Sequence, residues 1–255
     1  MRNKLFAEVW GGEFGWEVAV WVPRLRAMSR EYDFVEVCCV SGHEALYEDF
    51  ADVISWPNND FVINNRNMWL YNEGNSYQFA VGKQGHTQIV EPNRDICMGD
   101  YPSEYAQYGT KSGATKYDVL IHARATDNAG TGYRNYHKWP DVVKLLDGLR
   151  VACIGTQADY VCGDDLRGIP LAELCDVMAE SRCVVGSSSG PMHLAAFCGT
   201  PIVVWAEDTG GRVMKNRTRY LTTWNPFGVK VEYIDSWQPE PQDIVRRVGL
   251  SIMGG

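Results

Sequence analysis

Hydrophobic and polar positions in the first fifty residues follow a strand, turn, helix, strand order. Leu5-Phe6-Ala7-Glu8-Val9-Trp10 is a short β-rich run, punctuated by Gly11-Gly12. From Trp16 to Arg30, Val18, Trp21, Val22, Leu25 and Met28 recur at helical spacing. Phe34 to Val40 predicts a second strand closed by Ser41-Gly42, and Ala45 to Phe50 a short helix. The texture then changes. Between Asn58 and Thr115 no long period survives, and Asn58, Asn59, Asn64, Asn65, Asn67, Asn72, Asn75 and Asn93 punctuate the chain. Asparagine and glycine favour turns and local side-chain hydrogen bonds over regular ladders, so irregular surface with short strands is expected here. Gly109 to Lys116 reads as a linker.

Beyond it the α/β rhythm returns. Strands are predicted at Tyr117–His122, Arg150–Gly155, Cys183–Gly186 and Pro201–Trp205. Helices are predicted at Trp139–Leu149, with Pro140 in the first turn, at Leu171–Ser181 and at Met192–Cys198. The strands are continuous apolar runs rather than alternating ones, which predicts a parallel sheet covered on both faces. Asp243 to Ile252 reads as a terminal helix.

Composition narrows the classes. The chain has 255 residues, with 24 Lys and Arg against 32 Asp and Glu, a net charge of −8 at pH 7. That balance argues against a broad nucleic-acid grip, which needs a basic surface to release phosphate counterions. No run approaches the ~18–20 apolar residues of a membrane helix. The apolar run after Met1-Arg2-Asn3-Lys4 is broken by Glu8, so neither an integral membrane segment nor a signal peptide is expected. Of eight cysteines, Cys38, Cys39, Cys153, Cys183 and Cys198 lie in apolar stretches, and no C-x-x-C pair occurs. Buried thiols of this kind fit a reducing, cytoplasmic setting better than disulfides or a zinc site.

One segment carries chemistry on its face. In Val184-Val185-Gly186-Ser187-Ser188-Ser189-Gly190-Pro191-Met192-His193 a buried strand runs through a small-residue turn into a helix. The free N–H groups and dipole of that helix favour an anion such as a diphosphate. Gly190 admits close approach, the serines add donors, and His193 lies one turn in. A plain strand-to-helix turn with serine caps fits the same pattern.

This stretch resembles the donor-site motif of the lipopolysaccharide heptosyltransferases and their relatives, roughly D-[TS]-G-x-x-H-L-A-A followed by a small residue, Pro and a strand. Ser189-Gly190-Pro191-Met192-His193-Leu194-Ala195-Ala196 and then Gly199-Thr200-Pro201-Ile202-Val203-Val204-Trp205 follow it, with Ser188 where the family carries aspartate. His122-Ala123-Arg124-Ala125 and Tyr136-His137-Lys138-Trp139-Pro140 are similar to the family's first C-domain strand and its K-x-W-P segment. The resemblance implies that Lys138 meets donor phosphates, with Arg124 an added cation, and that Ile154-Gly155-Thr156 lies beside the nucleotide base. A solvated loop is the alternative for Arg124, Arg134 and Lys138. Gly11-Gly12-Glu13-Phe14-Gly15-Trp16-Glu17 fills the place of the family's G-D loop. By that match Glu13 is the carboxylate that deprotonates the acceptor, and Glu17, one turn on, the reserve. Glu13 also fits a helix N-terminus simply through the dipole. Trp10, Trp16 and Trp21 are candidates for a sugar platform, with core packing expected for at least two.

The reading is thus an α/β protein of GT-B-like architecture, two Rossmann-like halves with parallel sheets facing a central cleft. Residues 1–115 form the acceptor-side domain, 116–237 the nucleotide-sugar domain, and 238–255 a helix packing back toward the N-terminal domain. The implied activity is inverting, metal-independent transfer from a nucleotide-diphosphate sugar to a hydroxyl on a glycan or lipopolysaccharide. The sugar nucleotide is co-substrate, no cofactor is expected, and no D-x-D metal motif occurs. Alternatives are a phage-type transferase acting on a hydroxylated DNA base, for which Arg212, Lys215, Arg217 and Arg219 give a local footing, a sugar-nucleotide epimerase or hydrolase, and a non-catalytic nucleotide-sugar-binding module.

Overall fold

A computed structural model of the chain describes residues 3–57, 85–92, 96–97, 99–125, 132–208 and 215–253. The asparagine-rich stretch from Asn58 to Asn75, Asn93 and Arg212 lie outside the described residues. The chain divides into two compact units, Met1–Ala106 and Gln107–Gly255.

The first unit is built on a four-stranded parallel sheet of order β3-β2-β1-β4. Its strands are β1 (Lys4–Ala7), β2 (Phe34–Cys38), β3 (Val53–Ser55) and β4 (Gln88–Val90). β1 pairs with β2 from Lys4↔Phe34 to Ala7↔Val37, and with β4 from Leu5↔Gln88 to Ala7↔Val90. The predicted Trp16–Arg30 helix is present but starts earlier and changes gauge. A short α1 (Phe14–Trp16) passes through a π-helical turn, Glu17–Trp21, into α2 (Val22–Ser29). Pro23 lacks the N–H an α-helix would return to Ala19, and the wide turn lies just ahead of it. Val18, Trp21, Val22 and Leu25 are fully buried, as the helical spacing demands. The expected Ala45–Phe50 helix is only a single 3₁₀ turn, Glu44–Leu46.

The second unit carries six parallel strands in the order β10-β9-β8-β5-β6-β7. They are β5 (Val119–His122), β6 (Val151–Cys153), β7 (Asp164–Asp165), β8 (Val184–Ser187), β9 (Ile202–Trp205) and β10 (Val231–Ile234). Its helices are α3 (Trp139–Leu145), α4 (Leu171–Ala179), α5 (Gly190–Phe197), α6 (Asn216–Leu221) and α7 (Pro241–Met253). The order reverses between β5 and β8, the switch point outside whose carboxyl ends open α/β sheets bind ligands. Val119, Ile121, Val185, Val203 and Trp205 form a core with Trp139, Tyr136, Ile244 and Val248. Tyr136 and Trp139 pack against the Trp205 ring at 5.2 and 5.5 Å.

Three expectations about organisation change. The division falls after Ala106 rather than after residue 115. Gly109–Lys116 is no free linker: Tyr108 N–H bonds Phe197 O (2.8 Å), Thr110 N–H bonds Asp176 (2.7 Å) and Ser112 N–H bonds Glu180 (2.9 Å). Those anchors tie it to α4 and α5. The terminal helix α7, drawn from sequence as packing toward the N-terminal domain, packs on α3, β9 and β10 of the second unit. Its apolar stripe, Ile244 and Val248, fills that unit's core. Strands β3, β4, β7 and β10, at most four residues each, and helix α6 carry too little periodicity to be read from sequence.

Candidate functional site

At the switch point the second unit gathers His122, which ends β5, the loop after β6, and the turn after β8. Ser189 Oγ lies 2.9 Å from His122 Nδ1 and 2.9 Å from Ser187 O. On the ring's other side Nε2 is 3.4 Å from Asp159 Oδ2. Asp159 accepts from Thr156 N–H (2.8 Å), Thr156 Oγ1 (3.2 Å) and Ala125 N–H (3.2 Å). Burial alone would raise its carboxyl pKa. The His122 ring and the two backbone N–H groups outweigh burial and hold it at about 2. The Arg167 guanidinium grips the Asp159 carbonyl oxygen.

Gly155 makes this packing feasible. Its φ is +124°, and a Cβ there would overlap Asp159 Oδ2 and the His122 ring. Gly155 and Thr156, read from sequence as neighbours of a nucleotide base, thus also shape the His122–Asp159 contact.

Ser188, Ser189, Gly190 and Pro191 form one turn at the start of α5, as the sequence predicts. Ser189 is the extended N-cap, and its carbonyl takes Met192 N–H (3.1 Å). Pro191, without an N–H, costs the first helical turn nothing. Ser188, in the place of the family's aspartate, accepts a hydrogen bond from Tyr220 OH (3.2 Å). His193 lies behind the turn rather than on its open side. It stacks on Tyr220 at 4.7 Å and meets Trp224 edge-on at 4.2 Å. Burial, assisted by nearby Arg219, drops its pKa to about 3 and keeps it neutral. Its Nδ1 has no hydrogen-bond partner. A ligand therefore meets His193 only through the turn that it supports.

Arg124 bonds Asn135 Oδ1 at 2.5 Å, and Lys138 pairs with Glu240 at 2.8 Å on an exposed surface. Arg134 lies over Tyr133 and Trp237, at 5.6 and 5.5 Å from the two rings. Of the basic cluster, Lys215 and Arg217 are exposed, while Arg219 covers Trp224 at 4.7 Å.

In the first unit, Glu13 and Glu17 have unlike surroundings. Glu13 is exposed at the N-cap of α1, and its side chain makes no cap bond. Its carbonyl instead holds Trp10 Nε1 (3.1 Å) and Trp16 N–H (3.0 Å). Glu17 is 1% exposed, with Tyr47 OH on one oxygen (2.7 Å) and His43 Nδ1 on the other (2.8 Å). Burial would lower the His43 pKa, but the Glu17 hydrogen bond and charge, with Glu44, raise it. Both Glu17 oxygens are committed to the protein, which separates it from the reserve role. Trp10 and Trp21 are buried and stacked at 5.8 Å, leaving only Trp16 half-exposed.

Asp159, Tyr220 and Tyr47 were not singled out in the sequence. Asp159 had a signal, lying four residues beyond a strand-ending glycine; the two tyrosines had none. Among the described residues no group of three or more His, Cys, Asp or Glu is placed to hold a metal. All eight cysteines are free and buried, and no helix among the described residues is long and apolar enough to cross a membrane.

No protein-family model and no curated protein matches the sequence. Solved structures do match the fold. The chain is similar to E. coli ADP-heptose lipopolysaccharide heptosyltransferase II, with a TM-score of 0.64 and 11% identity over 98% of this chain and 99% of that one. A glycosyl transferase of family 9 from Veillonella parvula matches at 0.60 with 10% identity, over 100% and 98%. The dodecameric iron-containing heptosyltransferase TibC, in complex with ADP-D-beta-D-heptose, matches at 0.57 with 14% identity, over 100% and 79%. The chain thus has the α/β fold of the GT-B glycosyltransferases, with the family resemblance that its motifs carry.

Proposed function

We propose that this protein is a glycosyltransferase that moves a sugar, with inversion, from a nucleoside-diphosphate sugar to a hydroxyl on a glycan or lipopolysaccharide. The observation that carries the reading is the Ser187–Gly190 turn. It opens α5 at the switch point of a parallel sheet, in a chain that shares its fold with a heptosyltransferase over 98% of its length. Ser188, Ser189, Gly190 and Pro191 take the diphosphate at the helix terminus, and His193 braces the turn from behind. Arg124 and Lys138 supply cations, and Gly155 and Thr156 border the base. Because TibC is described with an ADP-sugar, ADP is the first nucleotide to test.

On the acceptor side, Glu13 takes the hydroxyl proton as the oxygen attacks the anomeric carbon, and the diphosphate departs with its electron pair. The reading assigns charge neutralisation to protein groups. It therefore predicts that chelators leave turnover unchanged. With eight buried thiols, the protein belongs in a reducing compartment, the cytoplasm.

The test is a thermal-shift panel of ADP, UDP, GDP and CMP and their sugar conjugates, with and without chelator. A ligand that binds only the native state must raise the melting temperature. Selective stabilisation by one nucleoside diphosphate is expected. Glu13→Gln should keep that shift while turnover falls about 10²–10⁴-fold. No shift at millimolar nucleotide overturns the reading, and an unaltered turnover in Glu13→Gln removes that residue as base.

A further inference from the structure

We propose that Asp159, His122 and Ser189 form a proton relay that protonates the departing diphosphate. The inference rests on the donor-site reading above and goes beyond it by giving the turn an acid. Three observations carry it. The three side chains form one continuous chain, from a buried carboxylate through a buried ring to a half-exposed hydroxyl at the open start of α5. Asp159 is held ionised by donors on three sides, so a proton delivered to the pair resides on the imidazole. And Ser189 Oγ has one proton for two neighbours at 2.9 Å, Ser187 O and His122 Nδ1.

That last point makes the chain a two-state device. With the imidazole doubly protonated, Nδ1–H donates to Oγ, the hydroxyl donates to Ser187 O, and Nε2–H faces Asp159. Every group is satisfied. With the imidazole neutral, Nε2–H still faces Asp159, Nδ1 must accept the hydroxyl proton, and Ser187 O loses its donor. A phosphate oxygen arriving at the turn competes for the same hydroxyl proton and so favours the charged ring. Among the described residues, Thr156 also bonds the Asp159 carboxylate and Arg167 grips the Asp159 carbonyl oxygen.

The step balances. The bond between the anomeric carbon and the diphosphate oxygen breaks, and its electron pair stays on oxygen. Ser189 Oγ gives its proton to a phosphate oxygen and takes one from His122 Nδ1. The ring is left neutral, with Nε2–H on Asp159, and takes its next proton from solvent when another diphosphate binds at the turn. The acceptor's own proton leaves separately to Glu13. Ser189 touches the substrate; His122 and Asp159 act through it.

The test is calorimetric titration of the full chain with ADP at pH ~8, in buffers of different ionisation enthalpy. A free terminal phosphate with a second pKa of about 6 is already ionised there, so uptake on binding reports a proton brought to the phosphate–Ser189–His122 chain. We expect wild-type protein to take up most of a proton per ADP, and Ser189→Ala and His122→Gln to take up several-fold less. Ser189→Ala removes one oxygen from a half-exposed side chain, so it keeps the test decisive if His122→Gln does not fold. Binding of ADP without proton uptake overturns the relay and leaves the donor site standing. Uptake that persists undiminished in Ser189→Ala overturns it as well. No binding of ADP, GDP, UDP or CDP takes down the donor reading and the relay together.

Discussion

Each unit places a histidine against a buried carboxylate beyond or at the carboxyl ends of its parallel strands, and the two pairs are built differently. In the first unit Glu17 opens the π-helical turn and His43, on the loop after β2, is 25% exposed. In the second both members are buried, and the Ser189 hydroxyl lies against the ring's Nδ1. The carboxylates differ in their supply of partners. Glu17 has one donor per oxygen, whereas Asp159 has two backbone N–H groups and a threonine hydroxyl besides its histidine. The lesson is one of access. A histidine that meets solvent directly exchanges protons with water, while one behind a hydroxyl exchanges them with whatever occupies the hydroxyl.

The sharpest way to separate the pairs is to delete the carboxylates. Asp159→Ala removes the buried carboxylate that accepts from Thr156 N–H and Ala125 N–H and faces the His122 ring. A loss of about 3–5 kcal/mol is expected, as for breaking a buried pair. Glu17→Ala removes the acceptor of the buried Tyr47 hydroxyl, but His43 can turn to water, so about 2–3 kcal/mol is expected. Urea denaturation of both variants checks the order. Equal losses would mean that solvent access does not distinguish the two sites.

Acid and alkali should loosen the two units differently. The Asp159 carboxyl is held at about 2, below the ~3.9 of an unfolded chain. Its stabilisation, about 2 kcal/mol, is present above pH ~4 and is lost as pH falls toward the folded value. His193 adds to this acid sensitivity. Its folded pKa of about 3 means that unfolding takes up a proton once pH drops below ~6.5, at a cost of up to about 1.4 kcal/mol per pH unit. The His43 pKa is raised instead, so its contribution is full below ~6.5 and is lost as pH rises through the folded value. Hydrogen exchange followed from acid to alkali should therefore show the second unit opening first in acid and the loop after β2 loosening in alkali. Uniform opening at both extremes would break the contrast.

Sequence was most informative where a run of side chains must be buried together. The strand cores Val119–His122, Val184–Ser187 and Ile202–Trp205 and the helix stripe Val18–Leu25 are dictated by burial on a parallel sheet, and all are where periodicity puts them. The turn after β8 was legible for the same reason, because small residues between a buried strand and a helix leave few conformations. What stayed hidden depends on contacts between distant positions. The burial of His193 comes from Tyr220 and Trp224, about thirty residues away on and just after α6. The engagement of Glu17 comes from His43 and Tyr47 on another loop. Neither has a local pattern, and in both cases a residue chosen for reactivity turned out to be spoken for by the fold.

Lys138 is the smallest and cleanest probe of that distinction, since its partner is also on the surface. The Lys138–Glu240 pair spans 2.8 Å with side chains 42% and 65% exposed. An exposed pair of this kind contributes about 0.2–1 kcal/mol, so Lys138→Ala should barely move the melting temperature. If Lys138 serves only this pair, Glu240→Gln should leave ADP affinity untouched. If it reaches the donor phosphates, Glu240 competes with the ligand for it. Glu240→Gln should then tighten ADP about 2–5-fold and Lys138→Ala weaken it about 3–10-fold, both effects shrinking with added salt. The opposite signs of the two variants make the result hard to imitate by a general loss of structure. They would place Lys138 with Glu13 and Ser189, the groups proposed above to meet ligand, rather than with Glu17 and His193, which are buried among protein partners.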